Sequence, residues 1–265
     1  KATVICRGCG AAFEGYVKPL AKQIGAAAKK SGMDYDATKE LSGQWMTLRY
    51  ALEKNQDYIK QDETAVNEAA EELKKSPNDK DAIANYNKAV KKQQDRLEAI
   101  NEDSIIDASE TTLKAGLAGG YNDFTANHLM GEIEKIIPVK NLKEMGDTVY
   151  SMLDWKLKRD LENGKVTQDI VDKWFNSPHY VPLTGDPNAS EEDDQIFNVG
   201  NKLNQSKDEK AVGRTGSIAK NGIDASIEAV KKSAKYHGAV DFKDALTETY
   251  ERLVDDEGEN EVSNR

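Results

Sequence analysis

Trp45-Met46-Thr47-Leu48-Arg49-Tyr50-Ala51-Leu52-Glu53-Lys54-Asn55, with its continuation through Ile59, Asp62, Val66, Ala69 and Leu73, decides the fold class. Trp45, Leu52, Ile59, Val66 and Leu73 recur every seven residues. Leu48 and Ala69 occupy the intermediate seam positions, with Asn55 and Asp62 as polar interruptions. A sevenfold apolar repeat of this length marks a helix that lays one narrow stripe against another helix. Asp34 or Asp36 can cap its start, and it is expected to run to Lys75. Ser76-Pro77-Asn78-Asp79 then supplies a turn and a fresh N-cap. The return helix repeats the spacing, with Ile83, Val90 and Leu97 in one row and Tyr86, Gln93 and Ile100 in the other. Two such helices joined by so short a turn fold back as an antiparallel hairpin, assigned here to residues 34–103. The bland reading is plain architecture, since a seam of this length buries enough apolar surface to sustain itself. The sharper reading is an arm that binds a partner.

The rest of the chain has the same helical grammar. Residues 1–33 hold a C-x-x-C, Cys6-Arg7-Gly8-Cys9, and a helix from Ala11 to Lys30 with Phe13, Val17, Leu20 and Ile24 on one side, broken by Ser31-Gly32. Residues 104–254 read as a bundle. Ser104–Leu117 forms one helix, closed by Gly119-Gly120. Asn122 or Asp123 starts another, which carries Phe124, Leu129, Ile133 and Ile136 to Pro138. A longer one has Leu142, Met145, Val149, Met152, Leu153, Leu157 and Leu161 on its buried side and stops at Asn163-Gly164. Thr167 caps a short helix with Ile170, Val171, Trp174 and Phe175. Two last helices, Ile223–Tyr236 and Phe242–Val254, precede an acidic tail over 255–265 that is expected to be disordered. The expected fold is all-α: an elongated helical bundle with a long antiparallel hairpin and one short extended segment.

That segment, within 177–186, is His179-Tyr180-Val181-Pro182-Leu183-Thr184-Gly185. Pro178 and Pro182 each remove a backbone donor and push the preceding residue out of the helical region, so the chain must stop a helix here and lie flat on something. Ala211-Val212-Gly213-Arg214-Thr215-Gly216 follows about thirty residues later. Arg214 is expected either to hydrogen-bond carbonyls of the Tyr180–Gly185 strap or to sit in a solvated loop.

The 265 residues are 38% hydrophobic and 32% charged, a balance that suits slender helices with wide solvated faces. With 37 basic against 47 acidic side chains the net charge is -10, which argues against a module that grips nucleic-acid phosphates. No run of eighteen apolar residues exists to span a membrane. Because it begins at Lys1 without an initiator methionine, the sequence is expected to be a fragment or processed product of something longer.

Two pieces resemble the signatures of the large polyvalent proteins that some bacteriophages package and eject with their DNA. Tyr180, Val181, Pro182, Leu183 and Gly185, followed by Gly213-Arg214, resemble a Tyr-Val-Pro-Leu-Arg-Gly … Gly-Arg signature, with Thr184 in place of the usual arginine. Arg49, Ala51, Glu53 and Asn55 resemble an Arg-His-Ala-Pro-Glu-Arg-Asn helix, with Tyr50, Leu52 and Lys54 as departures. From the residues alone, Arg49 and Glu53 would form a surface ion pair, being four apart on a helix. The resemblance implies a structural role for Arg49, Glu53, Asn55, Tyr180, Val181, Pro182, Leu183, Gly185, Gly213 and Arg214. It further implies a virion protein, stored in the particle interior and ejected into the host envelope or cytoplasm.

Catalytic motifs are missing: there is no Gly-rich phosphate loop, metalloprotease histidine pair or nucleophile elbow. No cofactor or metal site is assigned. Cys6 and Cys9 read as inert thiols, with half of a zinc site or a redox pair as the alternatives, and His128, His179 and His237 lack ligand spacing. His179 is expected to pack beside Trp174 or Tyr180. The expected function is a structural helical segment of an internal virion (ejection) protein that helps form a core or an envelope-spanning conduit for genome delivery. Its expected partners are other virion or ejection proteins and further copies of itself, with DNA only in non-specific proximity. An accessory region of a giant virion RNA polymerase, or of another ejected enzyme, is the alternative; within this segment itself enzymatic activity is not expected.

Overall fold

Capping chemistry and apolar periodicity set the helix boundaries in this computed structural model, which describes residues 12–103, 116–175, 177–183, 221–234 and 236. Among the described residues there are seven α-helices and no strand, so the fold is all-α. They are α1 (Lys18–Ser31), α2 (Tyr35–Lys75), α3 (Lys80–Ile100), α4 (Asp123–Ile136), α5 (Val139–Glu162), α6 (Gln168–Phe175) and α7 (222–234). A π-helical turn, Phe13–Val17, leads into α1, and a 3-10 turn, Ala118–Gly120, precedes α4. None of the described helices is long and apolar enough to cross a membrane.

The stop and start signals act as their chemistry requires. Gly32 ends α1 in the left-handed conformation (φ 70°), where a Cβ would be strained. Asp34 rather than Asp36 caps α2, accepting from Ala37 N at 2.8 Å. Asp79 caps α3 and Asn122 caps α4, the latter accepting from Thr125 N at 2.8 Å.

The main core forms where α1, α2, α4 and α5 converge. Leu20 and Ile24 meet Trp45, Met46 and Leu48, with Ile133 from α4 and Leu142, Met145, Val149 and Leu153 from α5. Each such side chain removes enough apolar area from water to stabilise the fold by about 1.5–3 kcal/mol. Phe13, expected on the packed side, is exposed instead, because the π-helical turn shifts the register ahead of α1. Phe124 and Ile136 are also exposed.

The first arm of the hairpin follows its expected rows. Asn55 and Asp62 are buried, and Ile59, Val66, Ala69 and Leu73 are half-buried. The second arm differs at its start. Ile83 is exposed and Ala82 buried in its place, while Val90, Leu97, Tyr86 and Gln93 are half-buried as is Ala89, and Arg96 and Ile100 are buried. The reason is polar as well as steric. Arg96 must reach Asp62 (2.9 Å) and the Tyr58 carbonyl (3.3 Å), and the small alanines admit the close approach that this needs. Lys92 completes the cluster at 2.9 Å from the other Asp62 oxygen. Asp62 is thus a register pin between the two arms, which is the best-attested use of a buried charge in a helical seam.

Residues 104–115 lie outside the described residues, so most of the expected Ser104–Leu117 helix is not tested. Leu117 itself is fully buried but extended, not helical. Also outside are Cys6, Cys9, the helix Phe242–Val254 and the tail over 255–265.

Candidate functional site

Helical spacing splits the Arg49–Asn55 segment between two directions. Arg49 and Glu53, four apart, share one face of α2, while Asn55 points to another. The first face meets the strap and the second meets the turn before α4.

On the second face Asn55 is fully buried and uses three of its hydrogen-bonding sites. Its Nδ2 donates to the Tyr121 carbonyl and to Asp123 Oδ1, both at 3.0 Å, and its Oδ1 accepts from Ala118 N at 2.9 Å. A seam position read as a polar interruption is therefore a clamp that ties the middle of α2 to the turn over residues 118–123. The unpaired backbone of a 3-10 turn buried against a helix needs such a partner.

On the first face Glu53 does not pair with Arg49, the ion pair expected from their spacing. Its Oε1 meets His179 Nδ1 in a short contact. Arg49 instead lays its guanidinium over Trp45, 5.2 Å from the ring centroid. The His179 ring stands edge-on to Tyr150 at 5.3 Å, while the side chain of Trp174, one of its two expected neighbours, lies outside the described residues. Tyr180 meets Tyr50 edge to face at 5.4 Å. Tyr50 is one of the departures from the signature, and its ring is the surface on which the strap lies.

Over residues 180–183 the strap is held against the core. After a turn closed by Tyr180 N to Ser177 O (3.1 Å), Val181 is fully buried in the main core, Pro182 is buried, and Tyr180 and Leu183 pack against the core. Burial pushes the hydroxyls of Tyr50, Tyr150 and Tyr180 well above the ordinary phenol range; for Tyr150 the nearby Arg49 charge partly opposes it. Tyr58, next to the Asn55 clamp, is pushed up to about 12 by burial, against the pull of Arg96.

The structure therefore brings together Arg49, Glu53, Asn55, Tyr180, Val181, Pro182 and Leu183. Gly185, Gly213 and Arg214 lie outside the described residues, as do the side chains of Trp174 and Phe175. Among the described residues no group of His, Cys, Asp and Glu is placed to hold a metal ion.

No protein-family profile, curated protein or solved structure matches this chain. What the two segments do is accordingly read from their geometry.

Two further polar assemblies escaped sequence reasoning. Asp160, fully buried, takes Lys156 at 2.7 Å, Lys165 at 3.6 Å and the Ser233 hydroxyl at 2.5 Å, and so joins α5 to α7. The signal was present: Val149, Leu153, Lys156 and Asp160 follow the spacing of the buried face, so two charges sit in an apolar row. The other assembly is a close crossing of α2 and α7. A Cβ on Gly43 would collide with the Asn221 side chain, and one on Gly222 would come within 3.0 Å of the Gly43 carbonyl. Asn221 itself caps α7, accepting from Ile223 N (3.0 Å) and donating to the Glu40 carbonyl (2.8 Å). Two isolated glycines far apart in sequence carry no pattern by which such a contact could be foreseen.

Proposed function

We propose that the chain is a non-catalytic, elongated helical scaffold, a structural segment of a phage internal virion protein that helps to build a core or a conduit for genome delivery. The observation that carries this reading is the mutual burial of the two signature segments: Glu53 is spent on His179, Tyr50 on Tyr180, and Asn55 on the backbone of residues 118–123. Groups committed to one another in this way hold helices in place. The net charge of -10 supports the same reading, since an acidic helical wall repels DNA and lets it slide.

The role is tested by mass spectrometry of purified particles before and after infection. The proposal expects the polypeptide that contains Trp45–Asn55 and His179–Leu183 inside the particle and lost from it on ejection. Its absence from particles, or an enzymatic activity retained by this segment alone, overturns the reading.

A further inference from the structure

Asn163-Gly164 and Asn221-Gly222 are the two Asn–Gly pairs of the chain. An asparagine followed by glycine is the pairing most open to attack on the side-chain carboxamide by the next backbone nitrogen, because glycine sets no Cβ beside that nitrogen. The attack requires the carboxamide to turn free of its hydrogen bonds and the following N–H to be released. The fold treats the two pairs in opposite ways.

Asn221 is walled in. Its Oδ1 accepts from Ile223 N at 3.0 Å and from Asp224 N at 3.3 Å, and its Nδ2 donates to the Glu40 carbonyl at 2.8 Å. A Cβ on Gly43 would collide with its carboxamide, and one on the buried Gly222 would meet the Gly43 carbonyl and the Thr47 hydroxyl at 3.0 Å. To free this amide, α7 must lift off α2. Asn163 stands at the end of α5 and is tied to that helix alone. Its Nδ2 donates to the Arg159 carbonyl at 2.9 Å, and the Gly164 N–H donates to the Leu161 carbonyl at 2.9 Å. Gly164 is exposed and left-handed (φ 65°), with nothing within 4 Å of the place a Cβ would take. Fraying of one terminal turn, a low-cost opening for a helix, breaks both bonds.

We propose that Asn163 is a site of self-catalysed deamidation in the folded chain, from which the α2–α7 crossing shields Asn221. The Gly164 nitrogen gives its proton to solvent base and bonds to Asn163 Cγ. The Cγ–Nδ2 bond breaks, and the nitrogen leaves as ammonia with a proton returned from solvent, giving a cyclic succinimide. Water then opens the ring at either carbonyl, to leave aspartate or isoaspartate. The net change exchanges NH2 for OH and needs no redox partner. Either product sets a carboxylate at the negative end of the α5 dipole and removes the donor to the Arg159 carbonyl. Isoaspartate also adds a methylene to the backbone just ahead of Lys165, which reaches Asp160 at 3.6 Å.

The full chain is kept at mildly alkaline pH in water carrying heavy oxygen, sampled over days, quenched in acid, then digested with trypsin in ordinary water. Heavy oxygen in the peptides Asp160–Lys165 and Asn221–Lys231, read by mass spectrometry, reports conversion at each asparagine before digestion. The folded chain is expected to label the first peptide at least about tenfold faster than the second, and in urea the two rates converge. Asn163→Gln is expected to leave the first peptide unlabelled, because the longer side chain closes its ring far more slowly. Equal rates in the folded chain, faster conversion at Asn221, a difference that persists unchanged in urea, a folded Asn163 that stays unlabelled, or label that survives Asn163→Gln overturns the proposal.

Discussion

Glu53 and His179, 126 positions apart in the chain, meet through Oε1 and Nδ1 and thereby join the middle of the longest described helix to the proline-bearing strap. Neither residue is fully buried: the two side chains are 31% and 24% exposed. The contact therefore positions the strap, while Val181 is buried in the main core and Tyr180 and Leu183 pack against it.

Asn55 is the reverse case, a buried amide whose worth lies in the groups it satisfies. Asn55→Ala leaves the Ala118 amide and the Tyr121 carbonyl unpaired in the interior, and the expected loss is about 2–4 kcal/mol by urea unfolding. Asn55→Asp, isosteric but unable to donate and set against Asp123, should cost at least as much. A loss within experimental error for either variant would remove the clamp.

Asp160 predicts the behaviour in acid. Burial alone would push its carboxyl up, but the Lys156 ammonium, with hydrogen bonds from Lys156 and Ser233 and the charge of Lys165, outweighs burial and holds it below the usual range. A carboxyl lowered on folding contributes stability above its unfolded value, near pH 4, and that contribution disappears as pH falls through the folded value. Asp160→Asn should lose about 3–5 kcal/mol at neutral pH and flatten the acid limb of the stability curve. Equal acid limbs in the two proteins would count against this.

At alkaline pH the buried tyrosines set the limit. Tyr50, Tyr58, Tyr150 and Tyr180 are all raised on folding, first of all by burial, so their neutral forms are favoured in the native state. Their contribution is complete below the unfolded phenol value of about 10 and is lost as pH rises beyond it. Stability should fall steeply above that pH, and Tyr180→Phe should soften the fall. An unchanged alkaline slope in Tyr180→Phe contradicts the assignment.

Gly43 has no room for a side chain beneath Asn221. Gly43→Ala must displace Asn221, breaking its cap on α7 and its bond to Glu40, for a loss of about 1–2 kcal/mol. Because Asn221→Ala removes the same bonds, the two substitutions together should cost less than their sum in thermal melts. Full additivity would place the two residues apart.

Much of the fold is legible in the residues, and the gaps have physical causes. Asp34, Asp79 and Asn122 cap helices because their side chains satisfy first-turn amides, and a sequence displays that chemistry openly. The strap is legible for a similar reason, since two prolines forbid a helix wherever the rest of the chain goes. The burial of Arg96 in α3 is not. It depends on Asp62 across the seam, a partner that periodicity within one helix does not specify. His179 is a further example: its contacts with Glu53 and Tyr150 are made to residues far away in the chain, which no local spacing announces.

The central claim is that the strap and the Arg49–Asn55 segment are structural partners, and a double-mutant cycle on Glu53→Gln and His179→Gln, read by urea unfolding at neutral pH, tests it most directly. The account predicts a coupling of about 0.5–2 kcal/mol between the two substitutions, with Val181→Ala costing more than either. Additive losses, with Val181→Ala tolerated without change, would mean that the strap does not rest on α2 and would contradict the account.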